Sequence, residues 1–122
     1  MEKWQTIVKL KLKGFFRTSV RFSFEWKAWL LAYDLYSCSP GDFSKLDIDD
    51  QFSALCYGAA AWDLIKRKKG VFFTYEDMKK ALLNASKADN QKLARVLKSA
   101  QFPQWLRSRQ EEEDDKKKEA SQ

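Results

Sequence analysis

The residues that decide the fold are 20–36, VRFSFEWKAWLLAYDLY, because their hydrophobic period changes partway along. In the first part, apolar residues alternate with polar ones, at Val20, Phe22 and Phe24. This alternation is typical of a strand that buries one face. From Glu25 onward the apolar residues follow helical spacing, at Trp26, Trp29, Leu30 and Tyr33. The sequence therefore predicts a strand that leads directly into a helix, which is apolar on nearly all sides.

A second alternating segment precedes this one. Residues 8–13, VKLKLK, alternate aliphatic side chains with lysines, and Gly14 interrupts the pattern. We expect the two strands to form a hairpin over residues 5–24. A lone hairpin is only marginally stable in water, so this hairpin must pack against other elements.

Helical periodicity continues in the rest of the chain. The four predicted helices span about 25–37, 48–68, 75–86 and 89–101. The predicted fold class is α+β and mainly α, with an N-terminal β-hairpin packed on about four helices. We expect one domain over residues 1–109, because a chain of this size builds a single core.

Residues at the predicted helix ends support these boundaries. The expected N-terminal caps are Asp47, Asp89 and Thr74, and Asp77 would complete a capping box with Thr74. Gly70 is interpreted as the end of the second helix. The residues SPGD at 39–42 are interpreted as a loop.

The charge of the chain is unevenly distributed. Residues 1–109 carry 20 lysines and arginines against 11 acidic residues, a net charge of +9. Residues 110–122 carry three against six, a net charge of −3, so the whole chain is +6. This last segment has almost no apolar side chain, and we predict a charged, disordered tail, with a solvated extension of the last helix as the alternative.

The residue types on which most enzymes depend are sparse. The chain has no histidine, and its two cysteines, Cys38 and Cys56, lack the spacing of a zinc site. We interpret both as free thiols, with a disulfide between them as the alternative. The clustered carboxylates at 47–50 and 76–77 stand at predicted helix starts and are interpreted as caps. We therefore predict a protein that is not an enzyme, with no catalytic residue, cofactor or metal.

Aromatic residues form 15% of the chain, which is more than one small core is expected to hide. As a set they favour a groove for an apolar partner or a surface for self-association. The candidate protein-binding residues are Phe15, Phe16, Trp26, Trp29, Phe72, Phe73 and Trp105.

A run of basic residues is the candidate anion-facing surface, formed by Lys66, Arg67, Lys68 and Lys69. A small basic nucleic-acid-binding or regulatory protein is therefore the alternative function. The sequence favours it less, because no helix presents arginine, asparagine and glutamine together as a recognition surface. Neither a signal peptide nor a membrane span is indicated, so we expect a cytosolic protein without membrane association.

Three segments follow one another along the chain, VRFSFEWKAWLLAYDLY (20–36), LDIDDQFSALCYGAAAWDLIK (46–66) and FFTYEDMKKALLNA (72–85). Together with the hairpin, their order resembles the tail assembly chaperones of long-tailed bacteriophages over residues 5–100. That family combines a β-hairpin, an aromatic-rich first helix, an acidic-capped helix with a stretch similar to YGAA, and a helix capped by T-x-E-[DE].

The resemblance implies a non-catalytic protein that binds the hydrophobic tape measure protein and keeps it soluble during tail assembly. It also implies that the protein helps to recruit the tail tube protein, acts in the host cytoplasm and is absent from the mature virion. In many of these families a programmed frameshift produces a longer chain. Lys116, Lys117 and Lys118 would be encoded by an A-rich stretch suited to such a shift, and a solvated charged tail is the alternative interpretation.

Overall fold

The computed structural model describes residues 4–12 and 17–100, and it confirms the predicted α+β class. Within these ranges a two-stranded antiparallel hairpin is followed by five helices. The elements are β1 (Gln5–Leu10), β2 (Thr18–Ser23), α1 (Trp26–Leu35), α2 (Pro40–Phe43), α3 (Ile48–Lys66), α4 (Tyr75–Leu83) and α5 (Lys87–Ala100). The predicted turn at Gly14 and the predicted tail 110–122 lie outside the described residues.

The hairpin has the predicted buried face. β1 and β2 pair with Gln5 opposite Ser23 and Leu10 opposite Thr18. The apolar residues of both alternating segments are buried, and they are Val8, Leu10, Leu12, Val20, Phe22 and Phe24. Because β2 packs on α3, the hairpin completes one side of the helical core instead of standing alone.

The core is centred on the crossing of α1 and α3. Gly58 of α3 lies so close to α1 that an added Cβ atom would overlap the carbonyl oxygen of Ala28. Alanines of both helices are buried here, namely Ala28, Ala32, Ala54, Ala59 and Ala60. These small side chains let the two backbones approach closely.

The prediction of a simple loop at residues 39–42 was wrong. Pro40–Phe43 forms the short helix α2, and the Ser39 hydroxyl accepts a hydrogen bond from the amide of Asp42 at 3.2 Å. Proline suits the first turn of a helix because its fixed φ is already helical. Phe43 is buried edge-on against the ring of Tyr33, with 5.1 Å between ring centroids, and this packing holds α2 in place.

The predicted caps had mixed outcomes. The capping box of α4 is confirmed, since Thr74 Oγ1 accepts from the Asp77 amide and Asp77 Oδ2 accepts from the Thr74 amide. Asp47 precedes α3 as predicted, but its side chain makes no capping hydrogen bond. The assignment of Asp89 as a cap was wrong, because α5 begins at Lys87 and the Ser86 hydroxyl accepts from the Asp89 amide at 3.1 Å.

The end of α3 also differs from the prediction. α3 ends at Lys66, and Lys68, not Gly70, adopts the left-handed conformation with a φ of 59°. The amides of Lys68 and Lys69 donate to the carbonyl oxygens two and three residues before the helix cap, which is the Schellman pattern. A lysine thus occupies a backbone position that favours glycine.

We expect Lys68→Gly to stabilise the fold by about 1 kcal/mol, because it removes the steric penalty of a Cβ atom in the left-handed region. The measurement is the free energy of unfolding from urea denaturation. Lys69→Gly is the matched control, since Lys69 is equally exposed but has no positive φ. A destabilised Lys68→Gly variant would contradict the assignment of this helix end.

A buried polar network joins the hairpin to α3. Asp63 is fully buried; its Oδ1 accepts a hydrogen bond from Ser23 Oγ at 2.9 Å, and its Oδ2 is ion-paired with Arg67. Ser23 Oγ in turn accepts from Gln5 Nε2 at 3.3 Å. Since a buried carboxylate is costly unless it is paired, this network fixes how the hairpin sits on α3.

Candidate functional site

A surface depression lies where α3, α4 and α5 meet, and we call it the helix groove. It has two lobes of about 610 Å³ and about 320 Å³, which share Asp49, Phe52 and Asn90. The lining residues are Ile48, Asp49, Phe52, Ser53, Lys79, Leu82, Leu83, Ala85, Lys87, Asn90, Gln91 and Ala94. The groove is open along its length, so its shape suits a segment of polypeptide better than an enclosed small molecule.

Two aliphatic side chains on the wall of the helix groove are strongly exposed. Ile48, in the first turn of α3, is 81% exposed, and Leu83, at the end of α4, is 84% exposed. They flank the half-buried ring of Phe52, which reaches both lobes. Large apolar side chains gathered around a groove are typical of a surface that binds a partner.

Asn90 marks the junction of the two lobes. Its Nδ2 donates a hydrogen bond to the carbonyl oxygen of Leu82 at 3.1 Å and so ties α5 to α4. Its Oδ1 is buried and, within residues 4–12 and 17–100, has no hydrogen-bond partner. Asn90, which lines the helix groove, therefore keeps one buried acceptor without a partner among the described residues, and buried acceptors in proteins usually have one.

The aromatic residues singled out from the sequence do not form one surface. Trp29 is 7% exposed and Phe73 is 4% exposed, so both belong to the core and offer no binding surface. Trp26 is half-buried and Phe72 is 39% exposed, and neither lines the helix groove. Three further candidates, Phe15, Phe16 and Trp105, lie outside the described residues.

The basic run after α3 is partly neutralised by carboxylates. Lys66 Nζ lies 2.9 Å from Glu25 Oε1, and Arg67 is paired with the buried Asp63. Lys68 and Lys69 are exposed, and both belong to the turn that ends α3. Of the four candidate anion-facing residues, the structure thus leaves only these two lysines directed to solvent without a carboxylate partner among the described residues.

Glu25, at the start of α1, is the centre of a cluster of indole and ammonium groups. Its Oε2 accepts a hydrogen bond from Trp62 Nε1 at 2.6 Å, and Lys27 Nζ lies 4.4 Å from the centroid of the Trp62 ring. Partial burial opposes ionisation of Glu25, but the hydrogen bonds from Trp62 and Lys66 and the charge of Lys66 lower its pKa below 4.5. Because the hydrogen bond to Trp62 and the ion pair with Lys66 join Glu25 to α3, the cluster secures α1 against α3.

The groups with raised pKa values lie apart from the helix groove. Burial raises the pKa of Tyr33 to about 12 and raises the pKa of the Cys56 thiol. Burial, together with the hydrogen bond between its hydroxyl and that of Tyr36 at 2.7 Å, raises the pKa of Tyr75. All three are structural groups, and both Cys38 and Cys56 are free thiols. The lining of the groove offers hydrophobic contact and hydrogen bonds as its chemistry.

The sequence did not reveal the helix groove. Its lining comes from three helices that meet only in the folded chain, and Ile48 and Leu83 were not among the predicted site residues. The available signal in the sequence was Ile48 itself, an aliphatic residue that stands among acidic residues at the start of a predicted helix.

No helix of the described residues is long and apolar enough to cross a bilayer. Comparisons with protein-family models, curated proteins and solved structures found no match to this chain.

Proposed function

We propose that this protein is a phage tail assembly chaperone that acts by non-catalytic binding. Its client would be the tape measure protein, whose hydrophobic segments it would cover during tail morphogenesis in the host cytoplasm. The observation that carries the proposal is the helix groove, which presents Ile48, Leu83 and Phe52 to a partner. The identity of the client, the recruitment of tail tube protein and the absence from the finished virion rest on the family resemblance.

The shape of the helix groove supports a helical client segment. A helix of about 10–12 Å diameter fits an open depression between other helices, and it anchors itself through apolar residues on one face. Ile48 and Leu83 are at opposite lobes, so an amphipathic helix that lies along the groove would cover both. Burial of one such side chain contributes about 1.5–3 kcal/mol. Because association itself costs about 4 kcal/mol or more, reversible binding requires that Ile48, Leu83 and Phe52 are covered together.

The charges around the helix groove support the same kind of client. Asp49 stands on one wall, while Lys79 and Lys87 stand on others, so both signs border an apolar floor. Lys79 Nζ already lies 3.9 Å from Asp50 Oδ1, which leaves Lys87 and Asp49 as the freer charges. An amphipathic segment with mixed charges beside its apolar face would match this border.

The combined variant Ile48→Asp and Leu83→Asp tests the proposal. We expect it to weaken binding of a tape measure segment about 100-fold or more, because it removes the burial of two aliphatic side chains and would bury carboxylates instead. Affinity is measured by calorimetry with the purified client segment, and solubility of the client is measured in co-expression. Both positions are exposed, so the variant itself should unfold at an unchanged urea concentration.

The control variant Ile65→Asp and Val71→Asp carries the same changes on exposed aliphatic residues outside the helix groove. It should bind the client as the parent chain does. If both variants bind equally well, the helix groove is not the client site. If the parent chain neither binds the client nor keeps it in solution, the proposed function itself fails.

A further inference from the structure

A second depression separates the hairpin from the turn between α4 and α5, and we call it the basic cleft. It has a volume of about 360 Å³. Leu10 and Ala81 form its buried floor, and Lys9, Lys11 and Arg17 stand along one side of it. Its remaining lining residues are polar or small, namely Asn84, Ala85 and Ser86.

The cations of the basic cleft are largely uncompensated. Arg17 forms a long, exposed ion pair with Asp89, with 3.4 Å between Nη2 and Oδ2. Lys9 and Lys11 are exposed, and no carboxylate of the described residues lies within 4.0 Å of either ammonium group. Beside the cleft, Lys92 of α5 uses its ammonium group to donate to the carbonyl oxygen of Ile7 at 3.0 Å. Several cations around one depression create a local positive potential that attracts an anionic segment.

We propose that the basic cleft binds the acidic run EEEDD at residues 111–115 of the same chain. This run is the densest negative charge in the sequence, and it complements the three cations Lys9, Lys11 and Arg17 that line the basic cleft. Single surface ion pairs contribute little, but a run of carboxylates that faces several cations acts as a network. The proposal is independent of the client of the helix groove.

The length of the chain permits this contact. α5 ends at Ala100, and ten residues lie between it and Glu111. The eleven steps from Ala100 to Glu111 can span up to about 36 Å, whereas the fourteen residues of α5 extend about 21 Å. The acidic run can therefore return along α5 to the cleft beside Ser86. As part of the same chain it has an effective concentration of the order of millimolar, so it outcompetes weak anions in solution.

If the acidic run binds the basic cleft, neutralising the run should change the environment of the cleft residues and leave the rest of the described surface unchanged. The variant is the full chain with Glu111→Gln, Glu112→Gln, Glu113→Gln, Asp114→Asn and Asp115→Asn. Its backbone amide signals in nuclear magnetic resonance spectra should differ from those of the parent chain at residues 9–12 and 81–87. The difference should vanish in 1 M salt, where the Debye length falls to about 3 Å.

Two matched controls localise the effect. Lys116→Gln, Lys117→Gln and Lys118→Gln change the same tail without touching the acidic run, and they should leave these amides unchanged. Lys9→Gln with Lys11→Gln should abolish the difference between parent and neutralised tails, while Lys68→Gln with Lys69→Gln should not. An absent difference, or one centred on the end of α3, would overturn the proposal.

A synthetic EEEDD peptide distinguishes the tail from other anions. It should shift the same amides in the neutralised variant, and it should bind the parent chain about ten-fold more weakly because the tail competes. If single-stranded DNA binds the cleft of the neutralised variant and the peptide does not, the cleft is a nucleic-acid site and the proposal is wrong.

Discussion

Gly58→Ala is expected to destabilise the fold by about 3 kcal/mol or more. The added methyl group would overlap the backbone carbonyl of Ala28, so the crossing of α1 and α3 must open at the centre of the core. Without this overlap, alanine would stabilise the helix by about 1 kcal/mol relative to glycine. A net loss of folding stability therefore reports the close approach of the two backbones. We expect the midpoint of thermal unfolding to fall by about 10–15 °C.

Gly70→Ala is the control for this prediction. No atom lies within 4 Å of a Cβ built at Gly70, and its φ is not positive, so the substitution should change the free energy of unfolding by less than about 0.5 kcal/mol. Equal stability of the two variants would mean that α1 and α3 are farther apart than described.

Arg67→Gln is expected to cost about 2–3 kcal/mol. It leaves the carboxylate of Asp63 fully buried beside Ser23, with the charge no longer balanced. The guanidinium of Arg67 is partly exposed, so water can enter the vacated space and limit the loss. Urea denaturation measures the effect, with Lys69→Gln as an exposed basic control that should be neutral within about 0.5 kcal/mol.

The double variant Asp63→Asn and Arg67→Gln separates the charge effect from the loss of contacts. It removes the unpaired buried charge, so it should be more stable than Arg67→Gln alone. If the double variant is instead less stable than Arg67→Gln alone, the hydrogen bonds of the network, and not its charge balance, hold the hairpin to α3.

Local patterns in the sequence were enough to predict the hairpin and most of the helices. Alternation at residues 8–12 and 20–24 identified the buried strand face, since a strand exposes every second side chain. The capping box at Thr74 was predictable because both partners lie within one turn. The close approach at Gly58 was visible as a run of small residues, although its partner on α1 was not.

Features that depend on distant residues were not predictable. The short helix α2 is held by the packing of Phe43 on Tyr33, which no local pattern reports. The burial of Trp29 and Phe73 was not predictable for a similar reason, because the side chains that cover them come from distant parts of the chain. The helix groove depends on three helices that meet at Asn90, and its position follows from tertiary packing alone.

The contact between Lys92 and the carbonyl oxygen of Ile7 has a consequence for aggregation. A two-stranded sheet has unpaired backbone groups along its outer edges, and another chain can add a strand to such an edge. Here α5 packs against β1, and the Lys92 ammonium group donates a hydrogen bond to one carbonyl oxygen of β1. A bound helix and a charged side chain are two devices that discourage strand addition. At high concentration, the covered edge of β1 is thus discouraged from templating intermolecular β-structure.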